Sequence, residues 1–205
     1  MVKKLLVCFL FVFQLVLSAQ TVYVKAGKNY TDFKYIKSDG TQSLGIQKGV
    51  GDSFELGYNY TLFDWEGPMS YEFGVTLNEY NAFVGIESKY ITWETYYIGT
   101  QGSFLYSFVN KERYSIGMRL GASASKIVYG KEEIDGIFYD IKSSDDFKRI
   151  LFQYVIGVDA KYDVTDQISI GLGYSIINSL NSSKSSTNKF FINTNQINVG
   201  LYFDI

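Results

Sequence analysis

From residue 20 onward the chain alternates with period two, segment after segment, and this constrains it more than any other feature. In the stretch Asp52–Phe63, Phe54, Leu56, Tyr58, Tyr60 and Leu62 share one parity, and Glu55, Gly57, Asn59 and Thr61 the other. In Arg113–Ser125, Tyr114, Ile116, Met118, Leu120, Ala122 and Ala124 oppose Ser115, Gly117, Arg119, Gly121, Ser123 and Ser125. The same reading gives strands over Thr21–Asn29, Met69–Asn78, Thr92–Phe108, Ile150–Tyr162, Gln167–Ile177 and Phe190–Ile205, eight in all. Successive side chains of a strand point to opposite faces, so each ribbon has one greasy side and one side of Gly, Ser, Asn, Gln and charges.

The connections sort by length. Asp64–Pro68, Val109–Glu112 and Asp163–Asp166 are short; the segments near 30–51, 79–91, 126–149 and 178–189 read as long polar loops. An even number of strands, each near the roughly 10 residues that cross a bilayer when tilted, with short turns at one end and long loops at the other, describes one architecture. It is all-β: an eight-stranded antiparallel up-and-down transmembrane β-barrel. Residues after the leader contain no apolar run long enough for a spanning helix, so any span must be made of strands. Aromatic residues make up 18% of the chain, with 18 Tyr and 16 Phe against a single Pro, which suits long uninterrupted strands with aromatic belts. Tyr60, Tyr71, Phe108, Tyr114, Tyr162 and Phe203 lie beside the short turns on the apolar parity, as a lower girdle would.

Both ends speak of export. Lys3 and Lys4, an apolar run from Leu5 to Leu17 and the exit Ser18-Ala19 predict a secretory signal peptide over residues 1–19, cut near Ala19, leaving a barrel domain over 20–205. The one cysteine, Cys8, falls inside that run, so the exported domain gains nothing from disulfides. The last strand puts Ile197, Val199, Leu201, Phe203 and Ile205 on one side and Asn198, Gly200, Tyr202 and Asp204 on the other. Its Asn198, Gly200, Phe203 and Ile205 match the pattern of a terminal signal for the outer-membrane assembly machinery, with Ile205 where Phe is usual. The location read from the sequence is the cell outer membrane. Its expected partners are outer-membrane lipid, lipopolysaccharide, the assembly machinery, and a protein partner through the long loops. With 19 basic and 21 acidic residues, two of the basic ones in the leader, no nucleic-acid partner is expected.

Six charges fall on the inward parity: Lys25, Glu55, Glu72, Arg119, Asp159 and Lys161. Counting from the short turns, all but Glu55 lie in the periplasmic half. Isolated charges in a low-dielectric lumen are costly, so these are expected to pair as a plug around Arg119 rather than to form an ion path. Eight strands leave an interior that side chains fill, so no open pore is expected. Catalysis has little to work with. Histidine is absent, which removes the usual base of acyl-transfer sites, and Glu55 with Glu72 is the only carboxylate pair to weigh, read as ion-pair partners. No cofactor or metal site is expected. The acidic set Glu132, Glu133, Asp135, Asp140, Asp145 and Asp146 reads as a solvated loop, and Asn181–Thr187 as a polar loop tip.

The run Val24-Lys-Ala-Gly-Lys-Asn-Tyr-Thr-Asp-Phe33 and the strand Gly74-Val-Thr-Leu-Asn-Glu-Tyr-Asn-Ala82 resemble the PorT-type family of small outer-membrane β-barrels. The resemblance implies a small barrel of that membrane; one branch of the family belongs to a protein-secretion and gliding apparatus. The function read from the sequence is a non-enzymatic integral barrel with a structural or loop-mediated binding role. The alternatives are an accessory component of a secretion apparatus, a lipid-modifying barrel enzyme and a soluble lipocalin-like carrier.

Overall fold

The computed structural model describes residues 21–37, 39–42, 46–62, 68–86, 89–144, 147–180 and 189–205. Residues 1–19, expected as a leader, most of the segment 64–68 expected as a turn, Asp145, Asp146 and the segment 181–187 expected as a loop tip lie outside the described residues. The described residues form nine strands: β1 (Thr21–Ile36), β2 (Ile46–Leu62), β3 (Met69–Ile86), β4 (Lys89–Asn110), β5 (Tyr114–Ile134), β6 (Ile137–Asp140), β7 (Leu151–Asp163), β8 (Ile168–Ser179) and β9 (Lys189–Asp204). Eight of them close into one antiparallel ring. The ninth, β6, is a short strand that folds back on the top of β5, from Ile134↔Ile137 to Lys131↔Asp140. Closure is made by β1, which pairs with β9 along its whole length from Thr21↔Asp204 to Ile36↔Lys189.

The apolar parity faces outward. Phe54, Leu56, Tyr58, Phe73, Val75, Leu77, Met118, Leu120, Ile156, Val158, Ile170, Leu172, Val199 and Leu201 are all exposed. This is the reverse of a soluble barrel and fits a wall bathed in lipid. Of the expected girdle, Tyr60, Phe108, Tyr114, Tyr162 and Phe203 are exposed beside the turns, and Tyr71 lies against Phe104, with ring centroids 5.0 Å apart.

The unbroken apolar belt ends at a collar of polar residues. The outward positions there are Lys28, Asp52, Glu79, Lys126 and Asn178. Lys28 pairs with Asp52, and the Asp52 backbone N–H donates to Glu79 Oε2 at 2.9 Å. Above this collar polar outward residues such as Asp32, Lys34 and Lys48 are interspersed with exposed Tyr30, Val50, Val128 and Tyr129. The strands nevertheless continue past it, and here the structure corrects the sequence reading. The segments near 30–51, 79–91 and 126–149, expected as long loops, are largely strand: β1 runs to Ile36, β2 starts at Ile46, β3 and β4 reach Ile86 and Lys89, and β5 reaches Ile134. The physical reason is a change of solvent. Outside lipid the outward face must be polar and the inward face apolar, so the alternation inverts. At the crossover both faces are polar (Asn29, Asp32, Asn78, Glu79), and such a stretch reads as loop.

The inverted part has its own core. Phe33, Tyr80, Ala82, Tyr97, Ile127, Leu151, Phe190 and Ile192 are buried and pack together inside the ring. Strands β7 and β8 do not rise with the others. The β8–β9 ladder stops at Asn178↔Asn193, while β9 continues upward on β1. The segment after β6 turns Ile141 and Phe147 into the core.

Placing an arginine in the belt tests the orientation of the wall. Leu120→Arg is expected to cost about 2–4 kcal/mol of folding stability in a phospholipid bilayer, as for cations near the midplane of other barrels. Reversible denaturant unfolding measures it. A loss below about 0.5 kcal/mol places Leu120 outside the belt, because surface substitutions in water cost no more than that.

Candidate functional site

The interior is stacked in tiers, and the strand register decides which side chains meet. At the end expected to face the periplasm lies a polar vestibule of about 210 Å³, walled by Asn59, Ser70, Lys161, Asp163 and Tyr202 among others. Above it runs a chain of ion pairs. Arg119 on β5 donates to Asp159 on β7 twice, Nε to Oδ2 at 2.8 Å and Nη2 to Oδ1 at 2.9 Å. Its Nη1 reaches Glu72 Oε2 on β3 at 2.8 Å, and Lys25 Nζ on β1 meets the same oxygen at 2.5 Å. Lys25, Glu72 and Arg119 are almost fully buried. A fork-to-fork guanidinium–carboxylate contact is the strongest form such a pair takes, and Arg supplies donors to two carboxylates at once.

Two tyrosines seal this tier. Tyr23 and Tyr202 are buried with ring centroids 5.6 Å apart, and Lys25 Nζ sits 4.3 Å from the Tyr23 centroid. The Tyr23 hydroxyl donates to Glu55 Oε1 at 2.6 Å, and Gln101 Nε2 donates to the other Glu55 oxygen at 3.5 Å. Glycine makes room for both rings. A Cβ on Gly57 would lie 2.6 Å from the Tyr23 hydroxyl, and one on Gly171 would lie 2.7 Å from the Tyr202 ring. Lys161 stands apart from the ion-pair chain: its Nζ faces the Tyr202 ring at 5.2 Å and borders the vestibule. Three cations thus stand near three carboxylates, and the lumen carries no net formal charge at this level.

The next tier is neutral. Asn29 Nδ2 donates to Asn78 Oδ1 at 3.2 Å, Gln196 Nε2 donates to Asn29 Oδ1 at 3.0 Å, and Asn198 Nδ2 donates to Gln196 Oε1 at 3.4 Å. Tyr80 follows, its hydroxyl donating to Gln153 Oε1 at 3.1 Å while its ring stacks at 5.6 Å from Tyr97. Polar lumen gives way here to apolar core.

At the top a cup of about 410 Å³ opens outward. Phe33, Tyr35, Ile46, Val84, Trp93, Ile141, Phe147 and Phe190 form its wall. Phe190 packs edge to face on Phe33 and Phe147, which are tilted against each other, with centroids 5.0–6.0 Å apart. Trp93 Nε1 donates to Glu132 Oε1 at 2.9 Å. The sequence reading does not contain this mouth. Its signal is the inward parity followed past Asn29, Asn78 and Ser125, which lands on Phe33, Tyr80, Tyr97 and Ile127.

Of the expected site residues, Lys25, Glu72, Arg119 and Asp159 lie in one ion-pair chain, Glu55 joins the Tyr23 hydroxyl, and Lys161 stays beside the vestibule. Asn198 and Gly200 face the lumen; Phe203 faces out, paired with Val22 and Ile168, and Ile205 is exposed. Glu132 and Glu133 belong to β5, Asp135 to the turn and Asp140 to β6, rather than to a solvated loop. Among the described residues no group of three or more acidic, His or Cys side chains is placed to hold a metal.

The sequence matches the family described as the outer membrane protein beta-barrel domain over residues 5–203, and the chain belongs to that family. It is an outer-membrane β-barrel protein. A comparison with curated proteins gives no significant match. Among solved structures it is similar to the outer membrane protease OmpT of Escherichia coli, at 9% identity and a TM-score of 0.51, over 92% of this chain and 98% of that one. It is also similar to the neisserial surface protein NspA, at 18% identity and a TM-score of 0.47, over 90% and 97% of the two chains. The attachment invasion locus protein Ail of Yersinia pestis aligns at 14% identity and a TM-score of 0.38, over 90% and 99%. At 9% identity the likeness to OmpT is one of fold alone.

The ion-pair chain makes a measurable demand. Arg119→Ala strands Glu72 and Asp159 without their shared cation and is expected to lower stability in detergent by about 3–5 kcal/mol. Lys25→Met combined with Arg119→Ala is expected to depart from additivity by about 0.5–3 kcal/mol, because both cations meet one carboxylate. Urea titration of the single and double variants measures both.

Proposed function

We propose that this protein is a non-conducting, non-catalytic outer-membrane barrel whose role is structural or binding, exerted through the strands that rise beyond the lipid. The observation that carries this reading is the filled lumen: ion pairs, amides and a packed apolar core follow one another from the vestibule to the cup. The carboxylates that would serve catalysis are engaged, Glu72 by two cations and Glu55 by a tyrosine and a glutamine. Outer-membrane lipid and lipopolysaccharide are the partners of the belt, the assembly machinery that of the last strand, and a protein partner is met at the outer rim. Residues 1–19 are assigned to a leader removed at export.

Cell fractionation with boiled and unboiled gel samples, followed by planar-bilayer recording, tests the reading. The expected outcome is a membrane-bound species of mass beginning at Gln20, a mobility shift on boiling, and no conductance steps. Stepwise conductance by the purified barrel, or altered lipids in a deletion strain, overturns it.

A second reading has one support, the resemblance of Val24–Phe33 to the opening of PorT-type barrels: an accessory component of a secretion apparatus. Co-purification of secretion components with the detergent-extracted barrel is the expected result; their absence removes this reading and leaves the first untouched.

A further inference from the structure

The cup at the outer mouth is an anomaly of packing. Beneath it the extramembrane core is dense, with Tyr80, Tyr97, Leu151 and Ile192 almost fully buried. Protein interiors close to crystal density, and apolar surface left open to water forfeits stabilisation. Yet about 410 Å³ bounded by aromatic rings stays open above that core. The volume falls within the roughly 300–1,000 Å³ of small-molecule sites, which combine apolar walls with a few placed polar groups.

The polar groups of the cup are few and specific. Glu132 faces inward opposite Trp93, which donates to one of its carboxylate oxygens. The second oxygen has no hydrogen-bond partner among the described residues. Ser144, also in the wall, has a buried hydroxyl with no partner among those residues. A half-buried carboxylate with an unused oxygen, framed by Trp93, Phe33 and Phe190, calls for a cation or strong donor attached to a flat apolar body. An anion would face Glu132 across a low-dielectric wall. A sugar would bring more hydroxyls than these two groups can satisfy.

We infer that the cup is a binding site for small amphipathic amines: an aromatic or branched apolar body seated among the rings, with its ammonium or amine N–H on Glu132 and a hydrogen bond to Ser144. The Tyr80–Tyr97 pair and the amide tier below make the site blind, so it captures its ligand and does not pass it through. This rests on the reading that the barrel is closed and that this end faces outward, and it goes beyond that reading by naming the ligand chemistry.

The test uses the full barrel in lipid nanodiscs, with empty nanodiscs as reference. The probes are 1-naphthylmethylamine, 1-naphthalenemethanol and 1-naphthylacetate, titrated by calorimetry. The expected result is saturable binding of one amine per barrel, weaker binding of the alcohol and weakest of the acetate. Val84→Trp, which fills the cup, is expected to abolish binding. Glu132→Gln is expected to weaken the amine roughly tenfold while leaving the alcohol nearly unchanged, the size expected for a charge-assisted hydrogen bond. Each variant is read only where boiling still shifts its mobility, so failure to fold is kept apart from failure to bind. Heat equal to that of empty nanodiscs overturns the inference, as does unchanged amine binding in folded Val84→Trp, or a preference for the acetate. None of these results touches the closed-barrel reading, which conductance decides.

Discussion

The pairing of β1 with β9 is the contact on which the rest depends. In hydrocarbon an unpaired backbone N–H or C=O has no water to turn to, and each would cost several kcal/mol. A sheet can therefore stay in lipid only if its first and last strands meet. Here they meet in register from Thr21↔Asp204 to Ile36↔Lys189, which fixes the circumference and so decides which side chains share the lumen. Lys25, Glu72, Arg119 and Asp159 come from β1, β3, β5 and β7, far apart in sequence. Only a closed ring of this width brings them to one axis, and only their pairing makes a dry lumen tolerable for charges.

The same strands then solve a second problem. Below the collar they divide grease from a polar interior; above it they divide water from an apolar interior. Along β1 the inward side chains run Tyr23, Lys25, Asn29, Thr31, Phe33, and the outward ones Val22, Val24, Ala26, Lys28. One ribbon crosses two solvents by exchanging the polarity of its faces. The crossover is gradual inside, through the amide tier, and outside it starts at Lys28, Asp52 and Glu79, beyond which Tyr30 and Val50 are still exposed.

That exchange explains how far the sequence can be read. Strand number, turn ends, facing and the closed architecture are legible because the outward belt keeps one parity over about ten residues. The inward charges are legible for the same reason, since Lys25, Glu72, Arg119 and Asp159 stand on the opposite parity of clear strands. Which of them touch is not legible: contact depends on shear between strands, and Lys161, two residues from Asp159, ends beside Tyr202 instead. The upper ring is hidden because it keeps the period and flips the sign. Asn29 and Asp32 on β1, or Asn78 and Glu79 on β3, look like the start of a loop when only outward apolar residues are followed. Trp93 and Phe147, which line the cup, carry no signal until that ring is recognised.

The collar of Lys28, Asp52 and Glu79 works as a waterline painted on a hull. It sets the draught of the barrel, because sinking further drags charges into oil and riding higher lifts leucines into water. From Lys28 to Ile36, β1 climbs about 20 Å at the usual rise and tilt. The headgroup layer on one side of a bilayer is only about 5–8 Å deep. In a phospholipid bilayer the cup therefore stands clear of the headgroups and opens to the aqueous medium rather than sideways into the leaflet.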